Sequence, residues 1–149
     1  MNSCYPEREK QIQNIMSVNF YKDKKTLVTG ARGMIGKELV ELLHKYGAKV
    51  FVVDLRNGVD LRYFENSLRI TKGMEYVFHL AGIKGSPVMT QERPVDFMAP
   101  MLQFGTNMIT ASSENEVKRF LYTSSIAVLN PETDKFPAWA KQTGESLIS

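Results

Sequence analysis

Glycine recurs at intervals of three in the run Thr29-Gly30-Ala31-Arg32-Gly33-Met34-Ile35-Gly36. A short apolar run, Thr26 to Thr29, precedes it and an amphipathic stretch follows. Between a strand and a helix, such a triplet suits backbone contact with a bulky anion. Gly30 permits a tight turn, and Gly33 lets the chain approach a pyrophosphate. Gly36, one turn into the helix, allows close packing on the sheet. The start of the helix offers N–H groups and a partial positive charge to the phosphates. A carboxylate adds the second half of the signal. Asp54 closes the run Lys49 to Asp54, 24 positions beyond Gly30, where it can accept hydrogen bonds from the hydroxyls of an adenosine ribose. Taken singly, the glycines read equally as a turn that needed room, and the acid as a strand cap. Together at this spacing they favour dinucleotide binding. The Asp54 carboxylate repels the extra phosphate of NADP and so favours NAD. Arg56 keeps NADP open as the lesser option, because a guanidinium pairs well with a 2′-phosphate.

These residues need a scaffold that brings strand ends together, and the remaining pattern supplies one. Thr26 to Thr29 reads as a buried strand. The spacing predicts a helix over 34–46, with Ile35, Leu39, Leu42 and Leu43 on one face and Gly47 as its stop. Lys49 to Asp54 is a second strand, rich in β-branched residues. A weaker helix over 61–70 and a third strand, Tyr76 to Leu80, follow. A long helix is expected from Pro94 to about Asn115 despite Pro100, then a fourth strand, Arg119 to Thr123, and another helix from Ala138. Residues 1–24 are polar and without period, a lead-in to one domain over 25–149. Strands alternating with helices predict the α/β class: a Rossmann-like, doubly wound parallel sheet, truncated after about four or five strands, in the order 3-2-1-4. Ligands of such sheets lie beyond the carboxyl ends of the strands, where every residue singled out here belongs.

Composition removes other classes. The chain has 149 residues, 43% hydrophobic and 23% charged, enough for one buried core. Its apolar runs are far too short to cross a bilayer, and MNSCYPEREKQIQN lacks the apolar centre of a signal peptide. One cysteine, Cys4, makes no internal disulfide, which fits a cytoplasmic protein. With only His44 and His79 beside it, no structural zinc site is expected. A net charge of +3 is too small and dispersed to argue for nucleic acid. His79, inside an apolar strand, is expected to be a satisfied interior histidine. Met89, Met98, Met101 and Met108 read as core filling or an interface.

Five segments in order, TGARGMIG, VVDLR, GVDL, HLAG and FLYTSS, resemble the extended short-chain dehydrogenase/reductases. These are the NAD(P)-dependent epimerases, dehydratases and reductases of nucleotide sugars. The resemblance runs from about Thr26 to about Glu145 and implies a cofactor site that extends the one read from spacing. It adds Arg32, Met34, Ile35 and Leu55 beside the glycines and acid. It places Asp60 and Leu61 at the adenine, and Leu80, Ala81 and Gly82 along the cofactor path. Thr123 would approach the nicotinamide ribose. It also implies a nucleotide-sugar substrate and allows a homodimer built on the long helices.

The chemistry implied by the resemblance is hydride transfer at a sugar carbon, with a tyrosinate taking the hydroxyl proton and a lysine lowering the tyrosine pKa. Ser125 matches the serine that orients the substrate oxygen, and Lys141 matches the lysine. Read locally, Ser124 and Ser125 equally cap a strand and begin a turn. Four residues before Lys141 stands Pro137, which has no ionisable group. Family members are roughly twice as long, their second half carrying the sugar-nucleotide pocket. Three functions follow: the NAD-binding part of a nucleotide-sugar enzyme, a non-catalytic NAD-binding module, or a remnant with exposed apolar surface. Pro137 favours the second, while Ser125 and Lys141 favour the first.

Overall fold

A computed structural model describes residues 20–83 and 86–123. Strands β1 (Lys25–Thr29), β2 (Lys49–Val53), β3 (Tyr76–His79) and β4 (Arg119–Tyr122) form one parallel sheet. They are linked by helices α1 (Met34–Lys45), α2 (Phe64–Thr71), α3 (Pro87–Glu92) and α4 (Pro94–Glu114). The α/β class and parallel sheet agree with the alternation of apolar and amphipathic segments. β1 lies between two neighbours and beneath helices on both sides, so Thr26 to Thr29 are at most 1% exposed. Successive β1 residues face opposite ways. Leu27 joins Val53, Leu61, Val77, Met101, Phe104 and Met108 in one core, whereas Val28 joins Ala31, Leu43 and Ala48 in the other.

The strand order is β2-β1-β3-β4, which corrects the expected 3-2-1-4. The third strand pairs with the far side of β1 instead of extending the sheet beyond β2. The reason lies in what α2 packs on. A right-handed crossover that continues past β2 would leave α2 on the same face as α1. Instead α2 lies against α4 on the opposite face. The hydroxyl of its buried Thr71 lies 2.9 Å from the Ser67 carbonyl and 3.2 Å from the Ala111 carbonyl of α4. The path therefore reverses after β2, and its switch point falls between β1 and β3.

Gly47, at φ +75°, ends α1 as predicted. The expected single apolar face of that helix is divided. Leu43 is buried and Leu39 half-buried, but Ile35 and Leu42 are 61% and 42% exposed. With a sheet on one side of α1, only part of its apolar arc finds a partner. α4 runs through Pro100 as expected, and Met98, Met101 and Met108 pack in or on the core. Met89 is exposed on α3, a helix the pattern did not suggest. Ser86 caps α3, its Oγ accepting from the Met89 N–H at 3.2 Å, and Pro87 occupies its first turn. At the other end of the sheet, Tyr21 packs against Tyr76 and Phe78. Among the described residues, no helix is long and apolar enough to cross a membrane.

Candidate functional site

A cleft of about 440 Å³ opens at the carboxyl ends of the first three strands. Gly30 and Gly33 form the wall above β1, Asp54 and Leu55 the wall beyond β2, and Leu80, Ala81 and Gly82 the wall beyond β3. The glycines divide the work unequally. Gly30 adopts φ +67°, a conformation side chains rarely take. A Cβ there would lie 2.8 Å from the Leu80 carbonyl and from the Ala81 nitrogen, so the turn after β1 rests directly on the chain leaving β3. At Gly36 a Cβ would come within 2.4 Å of the Gly30 oxygen, because α1 leaves the sheet against that turn. At Gly33 the nearest atom would be 3.2 Å away, and the residue is exposed to the cleft. Gly33 is the N-cap of α1, and no side chain bonds to the helix end there. The N–H groups of the first turn, on Met34, Ile35 and Gly36, have no acceptor within the helix. These features fit the pyrophosphate-bearing group the triplet implies: a cradle that side chains would fill, beneath a helix start.

On the β2 side the strand stops at Val53, and Asp54 caps a short 3-10 turn, Leu55–Asn57. Its carboxylate accepts from the Arg56 N–H at 3.1 Å and lines the cleft. Asp60 follows on the same wall, held by Arg62 through both carboxylate oxygens, the shortest contact being 2.6 Å. Hydrogen bonding from the Arg62 side chain holds the Asp60 carboxyl below the usual carboxylate range. On the β3 side, Thr29 and His79 are directly paired across the strands. The Thr29 Oγ1 lies 2.8 Å from His79 Nδ1 and accepts from the Ala81 N–H at 3.3 Å. The hydroxyl and the imidazole thereby hold each other across the two strands. His79 is fully buried and stacks on Tyr122 of β4. It is interior, as expected, with Nδ1 paired to Thr29, and it helps fix where the chain leaves β3.

The structure thus brings Gly30, Gly33, Asp54, Leu55, Asp60, Leu61, Leu80, Ala81 and Gly82 around one cleft. Gly36 lies buried beneath the turn. The side chains of Arg32, Met34 and Ile35 are exposed and do not line the cleft. Met34 and Ile35 border a separate surface depression with Leu39 and Leu42. Thr123 is tied to the end of β3, its N–H and Oγ1 both donating to the His79 carbonyl, at 3.4 and 3.3 Å. Ser125, Pro137 and Lys141 lie outside the described residues. Sequence reasoning missed the wall that α4 supplies through Asp96, Pro100 and Phe104. Their spacing of four puts them on one helical face, a signal present in the sequence. Val53, Val59, Arg62 and Ile83 complete the lining.

Comparison with known proteins follows the same boundaries. The profile of the NAD dependent epimerase/dehydratase family matches residues 26–146. The chain belongs to that family. GDP-mannose 3,5-epimerase of Arabidopsis thaliana is 33% identical over an alignment 122 residues long that covers 72% of this chain and 32% of that enzyme. A short-chain dehydrogenase/reductase superfamily protein of Agrobacterium tumefaciens, solved with bound NAD, superposes with a TM-score of 0.66 at 23% identity. The match covers 83% of this chain and 44% of that one. GDP-mannoheptose C4 reductase of Campylobacter jejuni, solved with NADP, superposes at 0.71 and 23% identity over 82% of this chain and 45% of that one. The chain spans about a third of the length of the first relatives it matches by sequence.

Proposed function

We propose that this chain is the cofactor-binding part of an enzyme acting on nucleotide sugars by hydride transfer, and that it takes NAD in preference to NADP. One observation carries the proposal. The cleft has the glycine turn and the α1 N-terminus on one side and the Asp54 carboxylate on the other, at the switch point of the sheet. Bound there, the dinucleotide supplies hydride acceptance and return. The chain's own part is to cradle phosphates with the backbone around Gly33 and to bind ribose hydroxyls through Asp54. The Leu80–Gly82 segment forms the floor on the β3 side. Relatives with NAD and with NADP exist, so the preference rests on Asp54 alone: a carboxylate facing a 2′-phosphate repels it. Calorimetric titration with both cofactors tests this, and equal or tighter NADP binding would remove the role given to Asp54.

A second reading is favoured by Pro137, which stands where the family's tyrosine is expected. General acid–base help is typically worth about a hundred- to ten-thousand-fold, and a proline supplies none. On this reading the chain binds NAD without turning over substrate, while Ser125 and Lys141 retain at most a binding role. Assay of the chain with UDP- and GDP-sugars separates the two readings. Turnover at ordinary enzyme rates excludes the binding module and directs attention to another base. A homodimer through the long helices belongs to the same proposal and is checked by sedimentation.

A further inference from the structure

Three consecutive carbonyls in the wall between the 3-10 turn and α2 are held by two asparagine side chains. Asn66 Nδ2 donates to the Asp60 oxygen at 2.8 Å. Asn107 Nδ2, from the middle of α4, donates to the Leu61 oxygen at 2.9 Å and to the Arg62 oxygen at 3.0 Å. Asp60, Leu61 and Arg62 all line the cleft. With its carbonyl groups drawn toward the helices, this segment keeps its place without a strand or helix of its own. Arg62 then fixes the Asp60 carboxylate from the solvent side. Neither asparagine lines the cleft itself.

We propose that Asn107 is a positioning residue: through Leu61 and Arg62 it sets the shape of the cleft wall that receives the adenosine half of the ligand. This rests on the dinucleotide reading. It is separable from general packing because the residue that caps the end of α4 is a second asparagine making the same kind of contact. Asn115 Nδ2 donates to the Leu68 oxygen at 2.9 Å and to Thr71 Oγ1 at 2.8 Å, joining α4 to the far end of α2, away from the cleft. One helix therefore offers a test residue and its control.

The experiment uses the full chain, with AMP as the ligand for the adenosine half and NAD as the whole cofactor. Wild type, Asn107→Asp and Asn115→Asp are titrated by calorimetry and unfolded in urea. Asn107→Asp keeps the shape of the side chain but turns acceptors toward two carbonyl oxygens. Its AMP affinity is expected to fall by about tenfold, the scale of one or two lost hydrogen bonds, and its NAD affinity by a similar factor. Asn115→Asp is expected to lower the urea midpoint while leaving AMP affinity within about twofold. Should Asn107→Asp fail to fold, Asn107→Ala, which leaves the two carbonyls to water, is expected to show the same loss. The inference is overturned if the folded Asn107 variant binds AMP as wild type does, or if Asn115→Asp weakens AMP equally. Wild type that binds neither AMP nor NAD overturns the dinucleotide reading instead, and the inference with it.

Discussion

At Gly36 an added Cβ would lie 2.4 Å from the Gly30 carbonyl oxygen, and at Gly33 3.2 Å from the same atom. The two positions therefore answer different questions. Gly36→Ala forces α1 off the sheet and is expected to cost about 1–3 kcal/mol or more, the range for overpacking a tight contact, read as a lowered urea midpoint. Gly33→Val faces the cleft; it is expected to cost less stability than Gly36→Ala and to weaken NAD binding at least tenfold in calorimetry. Unchanged affinity would remove Gly33 from the phosphate cradle. Asp60 offers a pH test. Its folded-state pKa is depressed by Arg62, so its contribution to stability is fully present above the ordinary carboxylate pKa and is lost as pH falls through the depressed value. Wild type should lose stability on acidification below about pH 4. Asp60→Asn should flatten part of that dependence in pH-stepped denaturation.

The sheet's outer strand β2 is paired only with β1 among the described residues, and Phe51 and Val52 on it are 45% and 47% exposed. β1 and β3 are bonded on both sides. Hydrogen exchange followed by mass spectrometry should therefore show β2 amides exchanging well ahead of those in β1. Equal protection would place another partner on the β2 edge. This edge also shows what the sequence could and could not convey. The strands and the helices α1, α2 and α4 were legible because their signals are local, such as the apolar run in Thr26 to Thr29, the β-branched residues in Lys49 to Val53 and glycine at 47, whereas α3 was not. Strand order was not, because it depends on which face α2 chooses. That choice rests on the packing of α2 against α4, which brings together residues as distant as Thr71 and Ala111, 40 apart in the chain. The glycine turn and Asp54 were legible because strand ends and spacing locate them. Asn66 and Asn107 were not, because a polar residue on a helix signals nothing until the carbonyls opposite it are seen.

For the whole molecule, a ligand that binds only the folded chain stabilises it by mass action. NAD at a hundred times its Kd adds about 2.7 kcal/mol, which for a domain of this size raises Tm by roughly 5–10 °C. NADP at the same concentration should raise it less, and the reverse ranking would contradict the part assigned to Asp54. The same measurement on the Gly33→Val chain should show a rise of about half or less, because binding tenfold weaker leaves about 1.4 kcal/mol. α4 connects the parts that such a ligand senses. Asp96, Pro100 and Phe104 wall the cleft, Asn107 reaches back 46 residues to the Leu61 carbonyl, and Met101 and Met108 enter the core. Contacts between segments so distant close large loops and form slowly compared with local turns. A refolding chain should regain its helical circular dichroism first and its capacity to hold NAD afterwards, with a lag that lengthens when the docking of α4 is weakened. The cleft would then serve as a clock for the last step of folding, started by dilution from urea and read in a stopped-flow cell by the appearance of bound nucleotide.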